Sequence, residues 1–339
     1  MNTRLFFSDQ PNEFRYFLES QKHRRMVLLA DARTNGFCVH PLVHQFSLLQ
    51  CADRIIIPQG EAHKNMDSCM LIWQQLTELQ ADRNTVLVNV GGGMVCDLGG
   101  FAASVYKRGI SFIHIPTTLL AMCDAGIGGK TGIDFQGYKN HLGTFNDAEA
   151  LYIDPNFLDT LDFRTRKSGI AEMIKHDLLQ GGDIWNQTYP AEEQDFYTLQ
   201  KIRQSMAFKQ MIVAQDPRDE HIRQCLNFGH SIGHAIESYA LQTEYPLLHG
   251  EAIIYGMYYE LLLSRNILGL EDSILQQFDD VRRKLFPELQ ATFTLSQLTP
   301  FLLQDKKNNR GLRMSLLKGV GQCEVGVMVS PESLQNLFS

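Results

Sequence analysis

The sequence predicts an α/β domain followed by a mainly α-helical one. Strand-like apolar runs alternate with helix-like segments through the first half, and such runs almost vanish after about residue 160. Strands alternating with helices imply a mostly parallel sheet covered on both faces. With 339 residues the chain is long enough for two domains rather than one. The division is expected near 155–165, giving domains 1–160 and 161–339.

The elements follow in order. Residues 26–30 (MVLLA) form a short apolar run ending at Asp31, and 54–57 (RIII) another ending at Pro58. A helix is expected next, with Asp67 as its N-cap and Met70, Leu71, Trp73, Leu76 and Leu79 at near-helical spacing. Residues 85–90 (TVLVNV) read as a strand broken by Gly91, Gly92 and Gly93, with a helix starting near Asp97. Residues 111–115 (SFIHI) are a further strand, stopped at Pro116. Helical periodicity then marks 165–180, 195–214, 222–240, 250–267 and 271–286, and the pair 313–317 and 324–329 suits a small hairpin.

Composition narrows the function classes. The net charge of −7 gives no global attraction for nucleic acid, so an anionic substrate needs a local group of Lys and Arg. The seven cysteines are scattered and contain no CxxC pair, which reads as reduced thiols rather than a disulfide frame or cysteine zinc site. The opening MNTRLFFSDQPNEF has no signal-peptide apolar region, and no apolar run approaches a membrane span. A cytoplasmic protein with no membrane partner is expected.

Several stretches carry chemistry. LNFGHSIGHAIE (226–237) places His230 and His234 four residues apart, on one helix face. Two imidazoles there suit either a metal or a proton-transfer pair. With Glu172 in SGIAEMIKH and His249 in LLHGE, His230 completes one carboxylate and two imidazoles, the ligand set of an open catalytic metal site.

VGGGMVCDLGGF (90–101) runs from a strand through glycines into a helix. Such a turn suits a dinucleotide pyrophosphate, and equally a plain tight strand-to-helix connection. Asp31 suits a ribose hydroxyl or a helix cap, and Glu61 and Lys64 in PQGEAHK offer further polar contacts. Thr117 and Thr118 present two hydroxyls after a strand. Lys130 is expected in a flexible Gly-rich loop (DAGIGGKTG), shortly before Lys139 and Asn140. Together with Arg108, Lys175, Lys209, Arg223, Lys306 and Lys307, it supplies enough cations to hold a phosphate and a carboxylate.

Taken in order, PQGEAHK, GGGMVCDLGGF, YKRG, PTTLL, DAGIGGKTGI, KNHLGTF, SGIAEMIKH, LNFGHSIGHAIE, HGEAIIYGM and DKK resemble the 3-dehydroquinate synthase family of sugar phosphate cyclases. The resemblance runs from about residue 54 to 317. It implies a Rossmann-like N-terminal domain that binds NAD, a helical C-terminal domain that binds metal and substrate, and a homodimer. The family converts 3-deoxy-D-arabino-heptulosonate 7-phosphate to 3-dehydroquinate and phosphate, with NAD and a divalent metal, usually zinc or cobalt. The route is transient oxidation of a ring hydroxyl, β-elimination of phosphate, re-reduction and intramolecular aldol closure.

By this resemblance Glu172, His230 and His249 are the metal ligands. The NAD contacts are Asp31, Glu61, Lys64, Gly91, Gly92, Gly93, Asp97, Thr117, Thr118 and Lys139. The substrate contacts are Asp124, Lys130, Asn140, Lys175, Lys209, Arg223, Asn227, His234 and one of Lys306 or Lys307, with Arg108 contributed across the dimer. Lys130, Asn140, Lys175, Arg223, Asn227 and His234 are the implied catalytic group, with His234 a candidate in proton transfer.

The chain departs from the family pattern in DPRDEHIR (216–223), where His221 stands at a usual Gly and raises the question of a different local turn. GHSIGH replaces the commoner GHTFGH, and Asp162 follows Thr160-Leu161 where the family has TLP. The rivals are another sugar phosphate cyclase, a metal-dependent alcohol or glycerol dehydrogenase, and a non-catalytic NAD-binding protein. Asn227 and His234 together favour dehydroquinate over other cyclase products, and the number of cations argues against a simple dehydrogenase.

Overall fold

The structure, a computed structural model, describes residues 3–136, 138–188, 191–289, 291–302 and 312–338. The chain divides into two compact units, Met1–Arg166 and Lys167–Ser339.

The first unit is built on a six-stranded sheet. Its strands are β1 (Arg4–Phe7), β2 (Met26–Asp31), β3 (Asp53–Ile57), β4 (Val86–Gly91), β5 (Ser111–Pro116) and β8 (Ala150–Ile153), in the order β1-β8-β5-β4-β2-β3. Every neighbouring pair is parallel. β4 is buried at every position and β2 at all but its last, which is why both read as unbroken apolar runs. β2 leads to β3 on one side, whereas β4, β5 and β8 lie on the other, so the winding reverses between β2 and β4. A parallel sheet opens a ligand crevice beyond the carboxyl ends of the strands at such a reversal. Those ends are Asp31 and Gly91.

The helices of this unit include α1 (Pro11–Ser20), α2 (Met66–Glu78) and α3 (Gly93–Val105). Two expected starts are corrected. The N-cap of α2 is Asn65, whose side chain accepts from Ser68 N–H at 3.2 Å, so Asp67 lies inside the first turn. α3 begins at Gly93 after Gly92, ahead of Asp97, because the turn glycines themselves enter the helix.

β1 and β8 were not expected: each is only four residues long, too short to show a period. Nor was the antiparallel hairpin of β6 (Lys130–Phe135) and β7 (Tyr138–Phe145). β7 is mostly exposed, so its order comes from the backbone ladder rather than from an apolar face. Lys130 therefore opens a strand and does not sit in a flexible loop.

The second unit is mainly helical. It holds α4 (Phe163–Gln180, from Lys167 onward), α5 (Leu199–Gln215), α6 (His230–Ala240), α7 (His249–Leu268) and α8 (Asp272–Leu285). The expected hairpin is present as β9 (Leu312–Gly319) paired antiparallel with β10 (Gln322–Val329). The helix expected over 222–240 is interrupted. A 3-10 segment, Ile222–Asn227, ends at Phe228, and α6 starts only after Gly229, which has a φ of 80°.

Among the described residues no helix is long and apolar enough to cross a membrane. None of the seven cysteines, all among the described residues, is in a disulfide.

Candidate functional site

Three helices of the second unit bring Glu172, His230 and His249 together. Glu172 lies mid-way along α4, and the two histidines are the first residues of α6 and α7. His230 Nε2 and His249 Nε2 approach the same oxygen, Glu172 Oε1, at 3.6 and 3.5 Å. One ligand atom from each residue falls within 4.8 Å of the others. Glu172 is wholly buried, and the other oxygen, Oε2, meets the ammonium of buried Lys175 one helical turn on.

Glycines permit this convergence. A Cβ at Gly250 would overlap the backbone of Ser168, which is on α4 one turn before Glu172, and Gly250 N–H donates to Ser168 Oγ at 3.0 Å. A Cβ at Gly256 would overlap the Gly229 carbonyl and lie 2.6 Å from Gly233 N. Thus at these two glycines the backbone of α7 lies against that of α4 beside Glu172 and that of α6 beside His230.

The imidazoles are oriented by their other nitrogens. His230 Nδ1 lies 3.2 Å from the Phe228 carbonyl, and His249 Nδ1 lies 3.4 Å from Glu237 Oε2. With Nδ1–H donating in each case, both Nε2 atoms face Glu172, and each offers a lone pair there once it gives up any proton, as binding of a metal requires. Burial lowers the pKa of His230, and the charge of Lys175 lowers it further. Burial also works to lower His249, but hydrogen bonds to Glu172 and Glu237 outweigh it and raise this imidazole to about 9. The donor set fits a divalent ion that accepts nitrogen and oxygen, such as zinc or cobalt.

His234 is exposed, one turn beyond His230, with its ring centroid 5.0 Å from that of His230 and 5.8 Å from that of His249. His234, Glu237 and His249 form a second possible ligand group. The buried Glu172 group has the better geometry, because Glu237 faces the Nδ1 side of His249.

Glu237 was not singled out from sequence. Its signal was present: positions 230, 234 and 237 form one stripe along a helix. Asp216 was also missed. It accepts the N–H groups of Glu220, His221 and Arg223 at 3.1, 2.7 and 3.1 Å. Burial acts against the Asp216 carboxylate, but these N–H groups hold it below its ordinary range. This turn fixes buried Arg223, whose Nη1 donates to the Pro217 carbonyl at 2.8 Å. His221 has φ −137°, so this position does not demand a glycine. Lys209 is buried in α5, and Asn227 ends the 3-10 segment half-buried. Lys306 and Lys307 lie outside the described residues.

The first unit gathers a separate group. Gly91 ends β4, Gly92 precedes α3 and Gly93 opens it. The turn after β5 lies alongside: Thr117 N–H donates to the Gly91 carbonyl at 2.9 Å, and a Cβ on Gly92 would stand 3.0 Å from Thr118 Cγ2. Asp31 Oδ1 accepts from Thr34 N–H at 2.8 Å, so the capping role is present, and that bond engages only one carboxylate oxygen.

Buried Lys64 donates to Asp97 Oδ2 at 2.6 Å and to Asn140 Oδ1 at 2.7 Å. Burial works to lower the Lys64 pKa, but the Asp97 and Glu61 carboxylates raise it well above its ordinary value. Glu61 is itself exposed, with Oε1 3.7 Å from Lys64 Nζ. Asp124 is half-buried in a short helical turn, Ala121–Ala125, while Lys130, Lys139 and Arg108 are exposed.

These features agree with the comparisons. The model of the 3-dehydroquinate synthase N-terminal domain matches residues 54–168, and that of the C-terminal domain matches 169–308. A 3-dehydroquinate synthase of Parabacteroides distasonis is 39% identical, covering 96% of this chain and 94% of its own. One from Legionella pneumophila is 37% identical over 92% and 86%.

Among solved structures, a 2-epi-5-epi-valiolone synthase from Streptomyces hygroscopicus, with NAD+ and Zn2+ bound, superposes with a TM-score of 0.86. It has 25% identity and covers 99% of this chain and 96% of its own. An iron-containing alcohol dehydrogenase shares the fold more distantly, with a TM-score of 0.68 and 13% identity, over 100% of this chain and 96% of its own. By both domain matches and by identity along nearly its whole length, the chain belongs to the 3-dehydroquinate synthase family.

Proposed function

We propose that this chain converts 3-deoxy-D-arabino-heptulosonate 7-phosphate to 3-dehydroquinate and phosphate, using NAD and a divalent metal. The observation that carries this is the convergence of Glu172, His230 and His249, within a chain so similar to 3-dehydroquinate synthases throughout. Glu172, His230 and His249 would hold zinc or cobalt, and the turn at Gly91–Gly93 with Asp31, Lys64, Asp97, Thr117 and Thr118 would hold NAD. When bound, the metal supplies Lewis-acid polarisation and NAD a reversible hydride acceptor.

The chain's own residues bind and orient. Lys175 and Arg223 are buried cations suited to anionic substrate groups. His234, exposed beside the imidazoles of His230 and His249, would take or give a proton. Asn140 joins the cofactor and substrate groups within the first unit, because its Oδ1 accepts from Lys64. A cytoplasmic homodimer with Arg108 shared between subunits belongs to the same reading and rests on the family resemblance.

The test is phosphate release from 3-deoxy-D-arabino-heptulosonate 7-phosphate with NAD and Zn2+ or Co2+, while absorbance of reduced cofactor is followed. Phosphate and dehydroquinate should form with no net NADH, and a chelator should stop both. Release only from a different sugar phosphate would assign another cyclase, and stoichiometric NADH from a polyol would make the protein a dehydrogenase.

A further inference from the structure

α6 has an unusual beginning. It opens at His230, and no side chain of the preceding residue caps it. That residue is Gly229, left-handed at φ 80°, and a Cβ there would run into the Met257 side chain. A local Ser, Asn or Asp cap is therefore barred, although the first N–H groups of a helix need acceptors. The acceptor comes from α7. Glu260, wholly buried, takes Gly229 N–H on Oε2 at 2.6 Å and Ile232 N–H on Oε1 at 3.1 Å. These donors stand on either side of His230.

We propose that Glu260 is the positioning residue of His230, its side chain replacing the missing N-cap of α6 and thereby fixing the imidazole for a divalent metal. This rests on the metal reading of Glu172, His230 and His249. The arrangement is reciprocal. α6 carries Glu237 to the imidazole that opens α7, and α7 carries Glu260 to the backbone flanking the imidazole that opens α6. Each helix begins with a ligand and braces the ligand of the other. Among the described residues the Glu260 carboxyl group bonds to the N–H groups of Gly229 and Ile232 and not to the imidazole, so its effect on His230 passes through that backbone.

The experiment titrates metal-free protein with Co2+ against a competing chelator, following the visible cobalt absorption, with circular dichroism and melting in parallel. The unaltered chain, Glu260→Gln and Glu260→Ala are compared. Gln keeps the volume but offers one acceptor oxygen where the carboxyl group offers two. It should fold, bind Co2+ about 10-fold or more weakly, and shift the cobalt bands, as other supporting residues of metal ligands do. Ala should weaken binding further.

Folded variants with unchanged Co2+ affinity and spectrum would overturn the proposal. So would variants that fail to fold with or without Co2+, since that would assign Glu260 to the fold alone. An unaltered chain that binds no Co2+ would instead overturn the metal reading, and this inference with it.

Discussion

At the scale of single residues, Lys64 shows how burial and charge divide the work. A buried ammonium is costly unless it is paired, and here Asp97 and Asn140 both meet it. Because its folded pKa is raised above 10.5, the stability it contributes is fully present below that value and is lost as pH rises through the folded pKa. Lys64→Met should therefore lower the melting temperature by the same amount at pH 6 and pH 9, and weaken NAD binding at both. Thermal melts and NAD titrations across that range check this. A stability loss that vanishes by pH 9 would mean that the ammonium is not held by its carboxylates. His230 and His249 show the same logic with different outcomes, one lowered by burial and the other raised by two carboxylates.

At the scale of elements, the sheet strands β2, β4 and β5 were legible because burial on both faces leaves continuous apolar runs in the sequence, and β3, at the sheet edge, because Ile55, Ile56 and Ile57 still make a short apolar run. β1 and β8 were not, since four residues carry no period and their pairing comes from distant partners. β7 was hidden for the opposite reason: its residues are too exposed to alternate visibly. Of the candidate site, Glu172, His230 and His249 were legible as candidate ligands by residue type, but the helix contacts that join them were not.

Those contacts depend on Gly250 and Gly256 in HGEAIIYGM, whose close approach to distant backbone leaves no periodic signal in the sequence. The atoms that a side chain would meet at Gly256 belong to backbone, which cannot rotate away as a side chain can. Gly256→Ala should force α6 and α7 apart, separating His230 from His249. The expected result is a lower metal content after dialysis and a lower melting temperature. Unchanged metal content would show that the helix spacing does not set the ligand geometry.

At the scale of the whole molecule, the chain divides into two compact units, each with its own group of candidate ligands. The glycine turn and the Lys64 cluster belong to Met1–Arg166, and the carboxylate and imidazoles to Lys167–Ser339. A ligand that binds only the folded form suppresses the openings that would break its site, so its footprint appears as slowed amide exchange. Zn2+ alone should slow exchange in α4 near Glu172, in the first turn of α6, and in α7 between His249 and Glu260. NAD alone should slow it after β2, across Gly91–Gly93 into α3, and at Thr117 and Thr118. Hydrogen exchange read by mass spectrometry, with each ligand added separately, distinguishes the two footprints. The starts of α6 and α7 are the decisive segments, because each opens with a candidate ligand imidazole and Glu260 holds the N–H groups of Gly229 and Ile232 on either side of His230. If Zn2+ left both exchanging as before, the histidines would be proton carriers rather than ligands, and the metal would have to bind elsewhere.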